Sequence, residues 1–156
     1  MIDIRPAVFP HDLPVVSALF REYADSLGID LGFQDFDAEL AALPGKYAAP
    51  RGRLLLAWRG PALLGCVALR PIDDDACEIK RLYVRPAARG LGLGGTLAVR
   101  ICDEARADGY ARICLDTLPS MAAAQKLYQS LGFLPIAPYT FNPVPGTQFL
   151  ALTLQA

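Results

Sequence analysis

The segment Arg89-Gly90-Leu91-Gly92-Leu93-Gly94-Gly95-Thr96 constrains this chain more than any other. The run before it, Glu78 to Val84, reads as a strand. The run after it places Leu93, Leu97, Ile101 and Ala105 four apart along one helical face. Arg100, Asp103, Glu104 and Arg106 lie largely off that stripe, and Gly109 supplies a stop. A glycine-rich turn that opens a helix leaves main-chain N–H groups unpaired at the positive end of the helix dipole. Glycines let that main chain approach a ligand closely. The ligand expected there is a diphosphate, with Arg89 adding a cation at the loop mouth.

The elements around the loop follow from periodicity and breakers. Residues 1–5 alternate as a short strand. Val15, Val16, Leu19, Phe20 and Tyr23 recur at helical spacing between Leu13 and Leu27, with Pro14 in the first turn and Gly28 at the stop. A second helix is expected from about Phe36 to Leu43, ended by Pro44-Gly45. Leu54 to Trp58 and Leu63 to Ile72 read as hairpin partners around Arg59-Gly60-Pro61, and Asp73-Asp74-Asp75 as a solvated turn. Downstream come a strand at Arg112–Thr117, a helix from Pro119 to Leu131 closed by Gly132, and strands at Phe133–Ile136 and Phe149–Leu154. A proline-rich loop separates those last two. The order β-α-α-β-β-β-α-β-α-β-β implies one mixed sheet with helices on both faces, an α/β fold in a single domain over residues 1–156.

Three ligands suit a loop of this kind. A P-loop needs Gly-Lys-Ser/Thr, and Gly95-Thr96 has no lysine. A dinucleotide fingerprint is met by Gly90, Gly92 and Gly95, with Asp116 at about the interval of a ribose-binding acid. That fingerprint starts directly after its strand, whereas Arg85-Pro86-Ala87-Ala88-Arg89 intervenes here after Val84. The third ligand is acetyl-CoA. Arg89-Gly90-Leu91-Gly92-Leu93-Gly94 matches a Q/R-x-x-G-x-G/A signature, preceded by Leu82-Tyr83-Val84-Arg85-Pro86 and followed by Ala124-Gln125-Lys126-Leu127-Tyr128-Gln129-Ser130-Leu131-Gly132-Phe133. In these three motifs the chain resembles the GCN5-related N-acetyltransferase (GNAT) family, most strongly over residues 78–133.

The resemblance implies a GNAT-like acyl-CoA N-acyltransferase fold and an enzyme that moves acetyl from acetyl-CoA, its cosubstrate, to a primary amine by direct attack in a ternary complex. No metal is implied. Tyr128 would protonate the departing thiolate; a phenol with a pKa near 10 holds its proton at neutral pH. The alternative for Tyr128 is a packing aromatic on an amphipathic helix. Glu78 would be the base, or else the partner of Lys80 on one face of a strand. The main chain of Leu82, Tyr83 and Val84 would meet the acetyl carbonyl and pantetheine arm, and the loop Arg89, Gly90, Leu91, Gly92, Leu93, Gly94, Gly95 and Thr96 the phosphates. The family often carries asparagine where Met121 stands, so one contact near the cofactor arm is missing or remade.

Acceptor choice would lie in the first two helices and the loop between the last strands, which hold Tyr23, Asp25, Asp30, Phe33, Phe36, Tyr139, Phe141 and Asn142. The near-balanced charge, 15 Lys+Arg against 16 Asp+Glu, argues against a nucleic-acid partner and favours a small-molecule amine over a protein. Cys66, Cys77, Cys102 and Cys114 sit in apolar stretches without C-x-x-C spacing, and with His11 as lone histidine no zinc site is expected. Reduced thiols, no signal-like N-terminus and no long apolar run point to a cytoplasmic protein with no membrane partner. Monomer and homodimer are both open. Two other readings stand beside the enzyme: a non-catalytic acyl-CoA-binding module and a nicotinamide-dinucleotide-binding protein.

Overall fold

The computed structural model describes residues 1–32 and 35–154. Strands β1 (Asp3–Pro6), β2 (Arg53–Arg59), β3 (Ala62–Pro71), β4 (Ala76–Val84), β5 (Arg112–Thr117), β6 (Leu134–Pro135) and β7 (Gln148–Thr153) form one sheet in the order β1-β2-β3-β4-β5-β7-β6. Every neighbouring pair is antiparallel except β4 and β5. Helices α1 (Leu13–Leu27) and α2 (Phe36–Ala41) cover one face; α3 (Leu93–Ala107) and α4 (Ala122–Ser130) cover the other. The chain spells this division within β2. Leu54 and Leu56 pack under α1 and α2, while Leu55 and Ala57 pack under α3. Such alternation fixes the register, because a one-residue slip would exchange the two sets.

The element order agrees with the sequence reading, and the differences are local. Helix α4 starts at Ala122 instead of Pro119. Leu118 ends the preceding strand region in a turn, its carbonyl accepting from the Met121 amide at 3.0 Å and from Gln125 Nε2 at 2.7 Å. Helix α2 stops at Ala41, and the chain tightens into a 3-10 turn at Gly45–Tyr47. Strand β6 holds only two residues, one of them Pro135, which has no N–H to give a ladder. All four cysteines are buried and unpaired.

Strand β4 carries the feature that shapes the site. Its pairing with β3 shifts between Cys66↔Tyr83 and Ala68↔Lys80, so Val67 faces two residues, Arg81 and Leu82. Arg81 takes the extra step with φ at +60°, a left-handed backbone that costs an L-residue about 1–2 kcal/mol. Contacts from several residues hold it there. The Arg81 guanidinium donates to both Glu39 oxygens, at 2.9 and 2.8 Å, in a fork that ties α2 to the bulge. The rings of Phe36 and Tyr23 lie 5.2 and 5.9 Å from that guanidinium. The Cys66 thiol donates to the Arg81 carbonyl at 3.1 Å. Across the bulge the strands come so close that a Cβ on Gly65 would sit 2.5 Å from the Tyr83 carbonyl oxygen.

The fork is almost dry, with the Arg81 side chain 2% exposed. Glu39→Ala strands that cation in the core, which costs about 3–5 kcal/mol and should lower the urea midpoint accordingly. Burial also pushes the Cys102 thiol up to about 11, so iodoacetamide at pH 8 should leave this cysteine unmodified until denaturant is added.

Candidate active site

Strands β4 and β5 run parallel for only three residue pairs, Ala76↔Arg112, Cys77↔Ile113 and Glu78↔Cys114. Both continue, β4 to Val84 and β5 to Thr117, without pairing to each other. The sheet therefore opens into a wedge. Its edges carry main-chain donors and acceptors that no neighbouring strand uses, and buried groups of this kind call for a partner.

One end of the wedge opens on a cleft of about 640 Å³. Leu82, Tyr83 and Val84 form one wall, Arg89, Gly90, Gly92, Leu93 and Gly94 the floor, and Ser120 to Ala124 with Leu127 the other wall. The size suits a cofactor-sized ligand. Gly90 and Gly92 have φ of 87° and 71°, and Gly92 caps α3. Among the described residues, the amides of residues 90–95 donate to no protein acceptor; the first bond at this helix start is Thr96 N–H to the Gly92 carbonyl, 3.1 Å. These donors at a dipole's positive end form a seat for an anion such as a diphosphate. Arg89 is exposed and donates from Nε to the Val84 carbonyl at 3.3 Å, at the edge of that floor. Leu91 points to solvent and does not line the cleft; Gly95 and Thr96 border a shallow depression on the other side of α3, with the Thr96 hydroxyl on the Gly92 carbonyl.

The wedge itself is a narrow cavity of about 40 Å³. Tyr128, 5% exposed, lines it. Its ring packs on Phe133 at 5.5 Å, and its hydroxyl makes no hydrogen bond among the described residues. Tyr128 is thus both a packing aromatic and an available donor. Burial, more than the neighbouring Tyr23, Cys102 and Asp116, pushes its pKa well above the ordinary phenol range. Met121 and Leu82 line both this cavity and the large cleft, so the two adjoin.

The far side of the wedge opens on a second pocket of about 430 Å³, bounded by α2, the Gly45–Tyr47 turn and the loop before β7. Lys80 and Asp116 border both it and the wedge. Asp116 is 3.4 Å from the Lys80 ammonium and accepts from Asn142 Nδ2 at 3.0 Å. Glu78 lines none of these spaces: it accepts from Arg70 Nε at 2.7 Å and from the Tyr139 hydroxyl at 2.8 Å, and stands 3.9 Å from Lys80. The pairing of Glu78 with Lys80 expected from their shared strand face is present, but loose.

The other acceptor-side residues fall into distinct groups. Phe141 lines the pocket, and Tyr139 and Asn142 pin its loop. Tyr23 lines the wedge and the large cleft, Phe36 a depression near the end of α1, and both rings lie near the Arg81 guanidinium. Asp25 and Asp30 belong to that same depression, and Phe33 lies outside the described residues. Sequence reasoning missed Glu39, whose partner Arg81 is 42 residues away, and Tyr47 and Arg70, which the fold brings into the same pocket lining. The one available signal was charge inside the β3 and β4 patterns, at Arg70, Lys80 and Arg81. Asp116, the acid of the dinucleotide alternative, lies in the wedge and not beside the glycine loop.

A mixed sheet split between two parallel strands, with a glycine-capped helix at the mouth of the split, is the arrangement the sequence resemblance implies. The acetyltransferase (GNAT) family profile matches residues 16–133, and the chain belongs to that family. An uncharacterised N-acetyltransferase of Schizosaccharomyces pombe is 42% identical over 156 residues, covering 98% of this chain and 95% of its own. A Streptococcus agalactiae acetyltransferase superposes with a TM-score of 0.80 at 24% identity, over 98% of both chains. The yncA protein of Salmonella typhimurium, solved with its cofactor acetyl-CoA, superposes with a TM-score of 0.74 at 21% identity, over 100% of this chain and 95% of its own. No helix among the described residues is long and apolar enough to cross a membrane.

A Cβ on Gly92 would meet nothing within 4 Å, so Gly92→Ala should cost only the backbone term of about 1–2 kcal/mol. Thermal denaturation checks this, and a much larger loss would mean that the loop is packed and not an open seat.

Proposed function

We propose that this protein binds acetyl-CoA in the large cleft and transfers the acetyl group to a small-molecule amine that enters from the second pocket. The observation that carries this reading is adjacency: residues shared between them set the cleft, the wedge and the pocket side by side across the split in the sheet. The amides of residues 90–95 take the diphosphate. The unpaired edge of β4 at Leu82 to Val84 takes the pantetheine arm and the acetyl carbonyl. Hydrogen bonds from such a fixed edge stabilise the oxyanion that forms when the amine attacks the thioester carbon.

Tyr128 gives its proton to the sulfur as the carbon–sulfur bond breaks. Its hydroxyl is in the wedge and is not committed to another partner, which suits a donor used only at that moment. The acceptor's ammonium must lose a proton before its nitrogen can attack, and that proton needs a carboxylate nearby. Asp116 borders the wedge and stands first in line. Glu78 borders neither the wedge nor the pocket, so a base role for it would run through its neighbours.

Thiol release from acetyl-CoA against a panel of amines tests the activity. Tyr128→Phe should lower kcat about 10²–10⁴-fold and leave the KM for acetyl-CoA unchanged. Because burial raises the Tyr128 pKa, its proton stays on above pH 10; the wild-type rate should climb with pH as the amine becomes neutral, with no loss from Tyr128 at or below pH 10. Acetyl-CoA that raises the melting temperature without turnover of any amine would favour a binding module instead.

A further inference from the structure

The buried charged groups around the second pocket are unequally satisfied; Asp35 and Lys46, also in its lining, are exposed at its rim. Both Glu39 oxygens are taken by Arg81, and the Glu78 oxygens by Arg70 and Tyr139. Asp116 keeps one oxygen for Asn142 and shares the other with Lys80. The donors are left over. The Lys80 side chain is only 6% exposed, yet its nearest carboxylates stand 3.4 and 3.9 Å away, against about 2.7–2.9 Å for a full ammonium–carboxylate hydrogen bond. Arg70 meets Glu39 only at 3.9 Å, and its Nη2 donates to nothing among the described residues. The Tyr47 hydroxyl is buried, with no hydrogen-bond partner. All three line the pocket.

A buried cation that lacks close partners is costly, and the buried part of the wall, with spare donors and engaged carboxylates, favours an anion. A dianion would crowd Glu39, Glu78 and Asp116, whereas a single negative charge would not. Resting on the acetyl-transfer reading above, we propose that the acceptor is an amino carboxylate. Its amine lies at Asp116 beside the wedge, and its carboxylate is held by Lys80, Arg70 and the Tyr47 hydroxyl. Lys80 and Asp116 are adjacent at the junction, so one small molecule can meet both with its two charged ends.

The test compares kcat/KM for acetylation of α- and ω-amino acids, their amides, the corresponding decarboxylated amines and 2-aminoethyl phosphate. At least one amino acid should exceed its amide and its decarboxylated amine by tenfold or more. Equal or reversed rates overturn the proposal, and so does preference for the phosphate. Tyr47→Phe, which removes only the hydroxyl, should raise the KM for that amino acid several-fold with kcat kept, and leave the amide unchanged. Lys80→Met should erase the discrimination between acid and amide. If no amine of any kind is acetylated, the transfer reading fails separately. Thermal shift of the protein saturated with coenzyme A then decides the pocket's preference: stabilisation by amino acids and not by amides upholds it, and no difference sinks it.

Discussion

Everything distinctive about this molecule depends on the parting of β4 from β5 after Glu78 and Cys114. A parallel pair that stayed in register would close the sheet and leave no route through it. The bulge at Arg81 turns the end of β4 away, and the Glu39 fork fixes that turn from the neighbouring helix. The strained residue is thus held by an ion pair that is itself buried. The energetic cost at one residue is offset by contacts from α2 and two aromatic rings, in a place where the opening is needed.

The two ends of that opening differ in character because different backbone geometries line them. On one side the glycine loop offers amides and little side-chain charge, a surface suited to a phosphate-bearing ligand whatever its remaining groups. On the other side, side chains from β3, β4, β5 and the loop before β7 form a network of alternating charge. The glycine-loop end is accordingly built mainly of main chain and the opposite end mainly of side chains. On the proposed reading, acceptor choice can change by substitution at the second end without disturbing the first.

Legibility followed the range of the interactions. The α3 stripe and the glycine-opened helix start are local, and each is found where the sequence pattern indicates. Tyr128 and the cleft-lining residues 82–84 could be named from motifs, since helix and strand set their directions. Glu78 shows where this stops. Its position on β4 made it a base candidate, but Arg70 and Tyr139, brought from an adjacent strand and a remote loop, occupy its oxygens. Asp116 was legible only as a ribose partner for a different cofactor, because its interval from the loop was visible and its place in the wedge was not. The start of α4 was misjudged because Pro119 suits a first helical turn, while the Leu118 carbonyl is bonded to Met121 and Gln125 in a turn that no propensity records.

By itself the sequence determined the order of strands and helices, the two faces of the sheet and the helix start that offers free amides. These rest on periodicity and on the dihedral freedom of glycine, properties of neighbouring residues. Tertiary structure alone decided where the sheet splits, that a non-glycine residue adopts positive φ, and which charges are satisfied. Those outcomes depend on pairs such as Glu39 with Arg81 and Tyr139 with Glu78, separated by 42 and 61 residues. Their partners are set by packing distance, and separation along the chain carries no trace of it.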